Sequence, residues 1–297
     1  MVSGQSRPRQ MTQIDPVPWD PHFFRQSTLF EPVADLARSL ASQHPHNWPG
    51  LNDYQTLLTS IRDSLQTESG ATLRFVGQDG RSDRFEQQYE PRIFLNGEIQ
   101  TRTANWHDFF QVLVWCLFAR TKLRLNKLHY EAASHRNRSQ PRQRNRTAIE
   151  NTVTLFDECG AVVVSSQPDL LDMLRQFHWK QLFWRQRDDV CQHMRCYLFG
   201  HALYEKALRP YTGLTAHALL LPVSTAFHDQ PLHEQISHID NWLVEMFSHP
   251  RDKIHSRMFH PLPLLGMPGT CDDNRHESYY DNTAYFRSAR RSVPGES

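Results

Sequence analysis

None of the chain's five cysteines, Cys116, Cys159, Cys191, Cys196 and Cys271, stands in a CxxC pair or at zinc-finger spacing from a histidine. That argues against a thiolate metal cage and against a disulfide framework, and the odd count fits a reducing compartment. No apolar stretch near the N-terminus has the form of a signal peptide. The longest apolar run, FFQVLVWCLFA from Phe109 to Ala119, is too short to span a bilayer. Neither charge sign dominates, with 33 basic and 32 acidic residues, which argues against a surface built for polyanions. There is no GxSxG nucleophile elbow and no internal repeat. The expectation is a soluble, cytoplasmic protein without a membrane segment.

What is present is aromatic and histidine-rich: 17 Phe, 7 Trp and 17 His in 297 residues. Apolar periodicity predicts short helices near 31–42 and 53–65, and a hairpin from Ala71 to about Tyr89, with RIFL and Asn96-Gly97 as a further strand and turn. A long helix is predicted from Asn105 to about Ala133, capped by Asn105 with Asp108 completing a capping box. VTLFDECGAVVVSS reads as strand, turn and strand. Helices follow near 168–176, 179–187 and 189–208, then a strand at LTAHALLLPV and an amphipathic helix over 231–248. Strands scattered among helices point to an α+β fold. The expected organisation is one mostly helical domain over 21–290, disordered tails at 1–20 and 291–297, and an exposed basic insert at 134–147.

Polar residues in apolar settings mark candidate sites. In FGHALYEKALRPYTGLTAHALLL, Phe199 to Leu221, helical spacing puts Glu205 within roughly 40° of His201 on an apolar face. A carboxylate there must be paired, protonated or bound to a cation. His201 and Glu205, with His217 from the following strand, form a candidate site for a divalent metal ion. The alternative is a hydrogen-bonded network that only fixes packing. On the long helix, His107, Asp108, Gln111, Lys122, Asn126 and His129 share an arc of roughly 100°, a stripe that faces either a cavity or water. Asp157 and Glu158 are candidate ligands or a general base, with ordinary turn chemistry as the alternative.

The blocks ANWHDFFQVLVWCLFARTKLRLNKLH, TLFDECGAVVVSS, FGHALYEKALRPYTGLTAHALLLPV and PLPLLGMPG followed by YYDNTAYF, in that order, resemble a bacterial family catalogued as a domain of unknown function, number 3025. The resemblance runs from about Asp20 to Arg287. It implies that these blocks share one domain and that the Arg-rich insert is peripheral; it supplies no catalytic residue.

Two functions follow from the residues. One is a metal-assisted hydrolase acting on a small-molecule or phosphate-containing substrate. In it His201, Glu205 and His217 hold the ion, Asp157 or Glu158 completes the shell or acts as base, His107 is acid or base, and Arg102 or Lys122 stabilises negative charge. The other is a non-catalytic protein that binds a ligand or partner, its polar network being structural. The insert HRNRSQPRQRNR has no interleaved aromatic residue on which bases would stack, so nucleic-acid binding is not expected.

Overall fold

The computed structural model describes residues 17–62, 64–80, 82–139 and 145–288. The expected tails lie outside these residues, except for 17–20, which pack: Trp19 stacks on Trp106 at 5.2 Å between ring centroids. The chain forms one α+β domain around a continuous apolar core. Helices α1 (Ala34–Gln43) and α2 (Leu51–Ile61) lead to a two-stranded parallel sheet of β1 (Arg74–Gly77) and β2 (Glu98–Thr101), with α3 (Tyr89–Asn96) between them. Then come α4 (Trp106–Leu117), α5 (Ala119–Ser139) and α6 (Ala148–Cys159), which runs straight into β3 (Gly160–Ser165). The second half adds α7 (Pro168–Arg175), a π turn at Gln181–Arg185, α8 (Arg187–His193), β4 (Met194–Leu198), α9 (His201–Ala207), β5 (Thr215–Pro222), α10 (Leu232–Met246) and β6 (His260–Pro263). The larger sheet has the order β4-β3-β5-β6, with β3 and β5 parallel and the outer pairs antiparallel.

Several local readings of the sequence are corrected. The expected hairpin is replaced by parallel pairing of β1 with β2, and RIFL lies in α3. Pro91 is tolerated in the first turn of that helix, and Gly97, at φ 71°, ends it in the left-handed conformation rather than making a hairpin turn. FDEC is the last turn of α6, not a hairpin tip. The signal for this helix is Thr147-x-x-Glu150, a capping box in which each side chain accepts the other's backbone N–H. The helix expected over 189–208 is split, because pairing with β3 draws Met194–Leu198 into the sheet and overrides local propensity.

The long helix breaks at Phe118 into α4 and α5. Buried Asp240 of α10 sits at the break, where its carboxylate accepts from Arg120 N, Thr121 N and Thr121 Oγ1. It thereby satisfies donors that the start of α5 leaves without helical partners. Asn105 caps α4 as expected, its side chain accepting from Asp108 N at 3.0 Å. Asp108 does not close the capping box; it accepts from Arg102 N at 2.6 Å and forks onto the Arg102 guanidinium at 2.8 and 3.0 Å. The basic stretch is not wholly an exposed insert. Its beginning continues α5 to Ser139, and Arg136 pairs with buried Glu150 at 2.9 Å, joining α5 to α6.

Candidate functional site

Three helix ends meet at one place: the first turn of α4, the last turn of α6 and the start of α9. Gly200 permits the meeting. A Cβ built there would stand 2.5 Å from the Glu158 carbonyl oxygen, so only glycine lets the β4–α9 junction rest against the end of α6. Its N–H donates to Gly160 O at 2.8 Å, fixing the junction to the first residue of β3. His107, Glu158 and His201 converge as a result.

The His107 and His201 Nε2 atoms are 3.1 Å apart, and Glu158 Oε2 lies 3.9 Å from the first and 3.6 Å from the second. Behind each imidazole stands a second carboxylate. Glu205 Oε2 is 3.0 Å from His107 Nδ1, and Asp157 Oδ2 is 3.8 Å from His201 Nδ1. His201 is buried, and the Asp157 backbone and carboxylate are what stand on its Nδ1 side. Asp157 is anchored from its other oxygen by Lys122 Nζ at 2.5 Å, and that ammonium lies 5.0 Å from the Trp115 ring centroid.

Their surroundings shift the two histidines in opposite directions. Hydrogen bonding to Glu205 raises His107 above the ordinary histidine value, against the cost of its partial burial. Burial pushes His201 down to about 3, against the pull of Asp157. For Asp157 burial is the largest influence and acts upward, but the Lys122 ammonium and His201 together hold it below the usual carboxylate range. Burial raises Glu158, with neighbouring Asp157 adding to the rise and His107 opposing it.

The cluster sits in a polar cleft of about 390 Å³. His107, Asp108, Gln111 and His129 from the predicted stripe line it, together with Arg102, Asp157, Glu158 and His201. Lys122, Asn126 and His129 line a small recess that adjoins the cleft through Tyr89, Glu90, His129, Thr154 and Asp157, which border both.

Two of the three expected metal ligands are placed differently. His217 is half-buried on β5 and lines a separate groove with Phe177, Trp179, Pro261 and Tyr285, so it takes no part in the cluster. Glu205 has a side chain 44% exposed and touches the cluster through His107 Nδ1 rather than joining the three ligand-competent atoms. Arg102 and Lys122 are each committed to a carboxylate, Asp108 and Asp157 respectively. Sequence reasoning passed over Tyr89, Arg136 and Glu150 as cleft residues. The capping box at Glu150 was a readable signal; Arg136 lay in a stretch that reads as solvated, and Tyr89 at the end of a supposed strand.

A family model described as a protein of unknown function, DUF3025, matches residues 73–290. The chain belongs to this family. The matched span contains all of His107, Asp157, Glu158, His201 and Glu205, so the cluster lies within the family's domain. No curated protein and no solved structure matches the chain. No helix among the described residues is long and apolar enough to cross a membrane.

Proposed function

We propose that the chain is a metal-dependent hydrolase whose divalent ion is held by His107 Nε2, His201 Nε2 and Glu158 Oε2. One observation carries the reading. The three atoms form a triangle with sides of 3.1, 3.6 and 3.9 Å. The point equidistant from its corners lies about 2.1 Å from each, the length of zinc-type bonds to imidazole nitrogen and carboxylate oxygen. Two histidines and one carboxylate with further positions free is a catalytic rather than a purely structural ligand set. Such an ion supplies Lewis acidity and an activated water.

The neighbouring carboxylates support the same reading. Glu205 at His107 Nδ1 would hold the tautomer that leaves Nε2 free to bind an ion, and Asp157 stands on the corresponding side of His201. Arg102, paired with Asp108 at the cleft wall and half-exposed, supports the reading as a source of positive charge beside a substrate.

A second reading has its own support. The 3.1 Å separation is also a hydrogen-bond length, and a raised His107 beside a lowered His201 suits a protonated donor and a neutral acceptor. The cluster is then a metal-free polar network.

Elemental analysis of the purified protein separates the two. The expected result is a stoichiometric divalent ion, lost in His107→Ala and Glu158→Gln while circular dichroism shows an intact fold. Glu205→Gln should retain the ion with about 10- to 100-fold weaker affinity in a chelator competition. Protein that carries no ion and binds no added zinc overturns the proposal in favour of the network.

A further inference from the structure

Deeper in the same cleft, a group of polar side chains has no partner. His129 is 7% exposed, and neither of its ring nitrogens makes a hydrogen bond among the described residues. Asn126 Oδ1 also lacks a partner among the described residues, and the buried Tyr89 hydroxyl has only the Trp115 indole N–H beside it, which leaves its own O–H free to donate. Asn126 is oriented by its own amide, which donates to Glu90 O at 2.9 Å and to Glu90 Oε2 at 2.7 Å, so its oxygen is left as an acceptor. These three residues line the recess, which has room for about 10 Å³. Gln111, also 7% exposed, lines the adjoining cleft with no side-chain hydrogen bond among the described residues. Buried polar groups without partners are costly, and the three around the recess, His129, Asn126 and Tyr89, point to a ligand that satisfies them, with the Gln111 amide beside them in the open cleft.

Three of the cations around them are already matched: Arg102 pairs with Asp108, Arg136 with Glu150 and Lys122 with Asp157. The Glu90 carboxylate at the recess has no ion pair among the described residues, but its Oε2 already accepts from the Asn126 amide. Apart from Glu90, the groups that remain for recognition in the recess are neutral. A phosphate or carboxylate offers only acceptors and would leave Asn126 Oδ1 facing an anion. An ammonium offers only donors and would leave the tyrosine hydroxyl and one histidine N–H unused. An amide carries its donor and acceptor on different atoms, and the recess holds about one atom. A hydroxyl both donates and accepts from a single atom.

We propose that the recess formed by Tyr89, Asn126 and His129, with Gln111 beside it, binds a hydroxyl group of a neutral, hydroxyl-rich substrate of the sugar or polyol class. This rests on the cleft being the site of reaction and names the substrate class for it. Arg146 is the competing feature. It lines the cleft, and its one side-chain hydrogen bond among the described residues, 3.3 Å to Thr154 Oγ1, leaves it able to anchor an anion instead.

The test is an NMR titration of the full chain, following the His129 ring signals, with maltotriose, triacetylchitotriose, trialanine and inorganic phosphate as probes. At least one sugar should bind saturably, with an affinity unchanged between about 50 and about 500 mM salt, as expected for recognition without ionic contacts. His129→Phe and Gln111→Leu should each weaken it by about tenfold, the effect of losing one or two hydrogen bonds. Neither residue makes a hydrogen bond that the fold uses, and both variants should keep their metal content. Three outcomes overturn the proposal: no sugar moves the His129 signals, leaving the recess to a structural water; phosphate binds with a steep salt dependence; or trialanine alone binds. Sugar binding in protein that takes up no metal would sink the metal reading and leave this one standing.

Discussion

Lys122 sits four residues into α5 with a side chain only 4% exposed, and its ammonium is the charge that keeps Asp157 ionised beneath the cleft. Removing it should be costly, because a buried carboxylate that loses its partner keeps its desolvation penalty. Lys122→Met is expected to destabilise the fold by about 3–5 kcal/mol in chemical denaturation. The Lys122→Met/Asp157→Leu double variant should recover much of that loss. If the double variant is as unstable as the single, the pair is not acting as a pair. At Gly200 the constraint is steric. Gly200→Ala sets a Cβ 2.5 Å from the Glu158 carbonyl, and backbone must move to relieve it. The expected outcome is a loss of more than about 2 kcal/mol and an altered cluster, because the shift separates His201 from Glu158. An alanine variant with unchanged stability and unchanged metal content would contradict this account of the junction.

Between elements, the Arg136–Glu150 pair joins α5 to α6 and holds one wall of the cleft. Burial is the largest influence on the Glu150 carboxyl and would raise it, but Arg136 and Thr147 outweigh burial and leave it below its ordinary value. Its folded pKa is thus lower than its unfolded one. The stability it contributes is fully present above the ordinary carboxylate range and is lost as pH falls through the lowered folded value. Arg136→Met should accordingly lower Tm at neutral pH, and the gap from the native protein should narrow as the buffer is taken from about pH 6 to about pH 3. A gap that stays constant over that window would show that the arginine acts through packing alone. The elements themselves were partly legible. Helices α1, α2, α7 and α10 and strand β5 follow from apolar periodicity, and Asn105 is a readable cap. Strand β4 was not legible, since Met194–Leu198 is extended only because β3 lies beside it. The parallel β1–β2 pair was misread for a similar reason, because the intervening α3 ends in an Asn-Gly that serves equally as a hairpin turn.

For the whole molecule, the family match begins at residue 73, yet the core does not. Trp106 Nε1 donates to Val17 O at 2.9 Å, Trp19 stacks on Trp106, and Phe23 makes edge contacts with Trp106, Phe109 and Phe110. The first turns of α4, which carry His107, are thus buried by chain that precedes the match. A chain starting at residue 73 should show no cooperative thermal transition, whereas the full chain should give a single one in calorimetry. A well-folded truncated chain would mean that the N-terminal aromatic cluster is an accessory layer rather than part of the same core.

The sequence by itself determined that polar, titratable residues occupy apolar ground. The stripe from His107 to His129, the His201/Glu205 pair on one helical turn and the Asp157-Glu158 dipeptide are all readable, because helical spacing and hydropathy are local properties. It also determined the class of fold, since helices and strands alternate without a regular βαβ pattern. Only the tertiary structure decided which of these residues meet. His107, Glu158 and His201 come from three separate elements, brought together where the ends of α4, α6 and α9 abut. His217, equally eligible by its chemistry, lies in another groove because the pairing of β5 with β3 and β6 sets where its side chain emerges. Distances between remote elements depend on how strands pair and helix ends pack, and no periodicity within a segment carries that information.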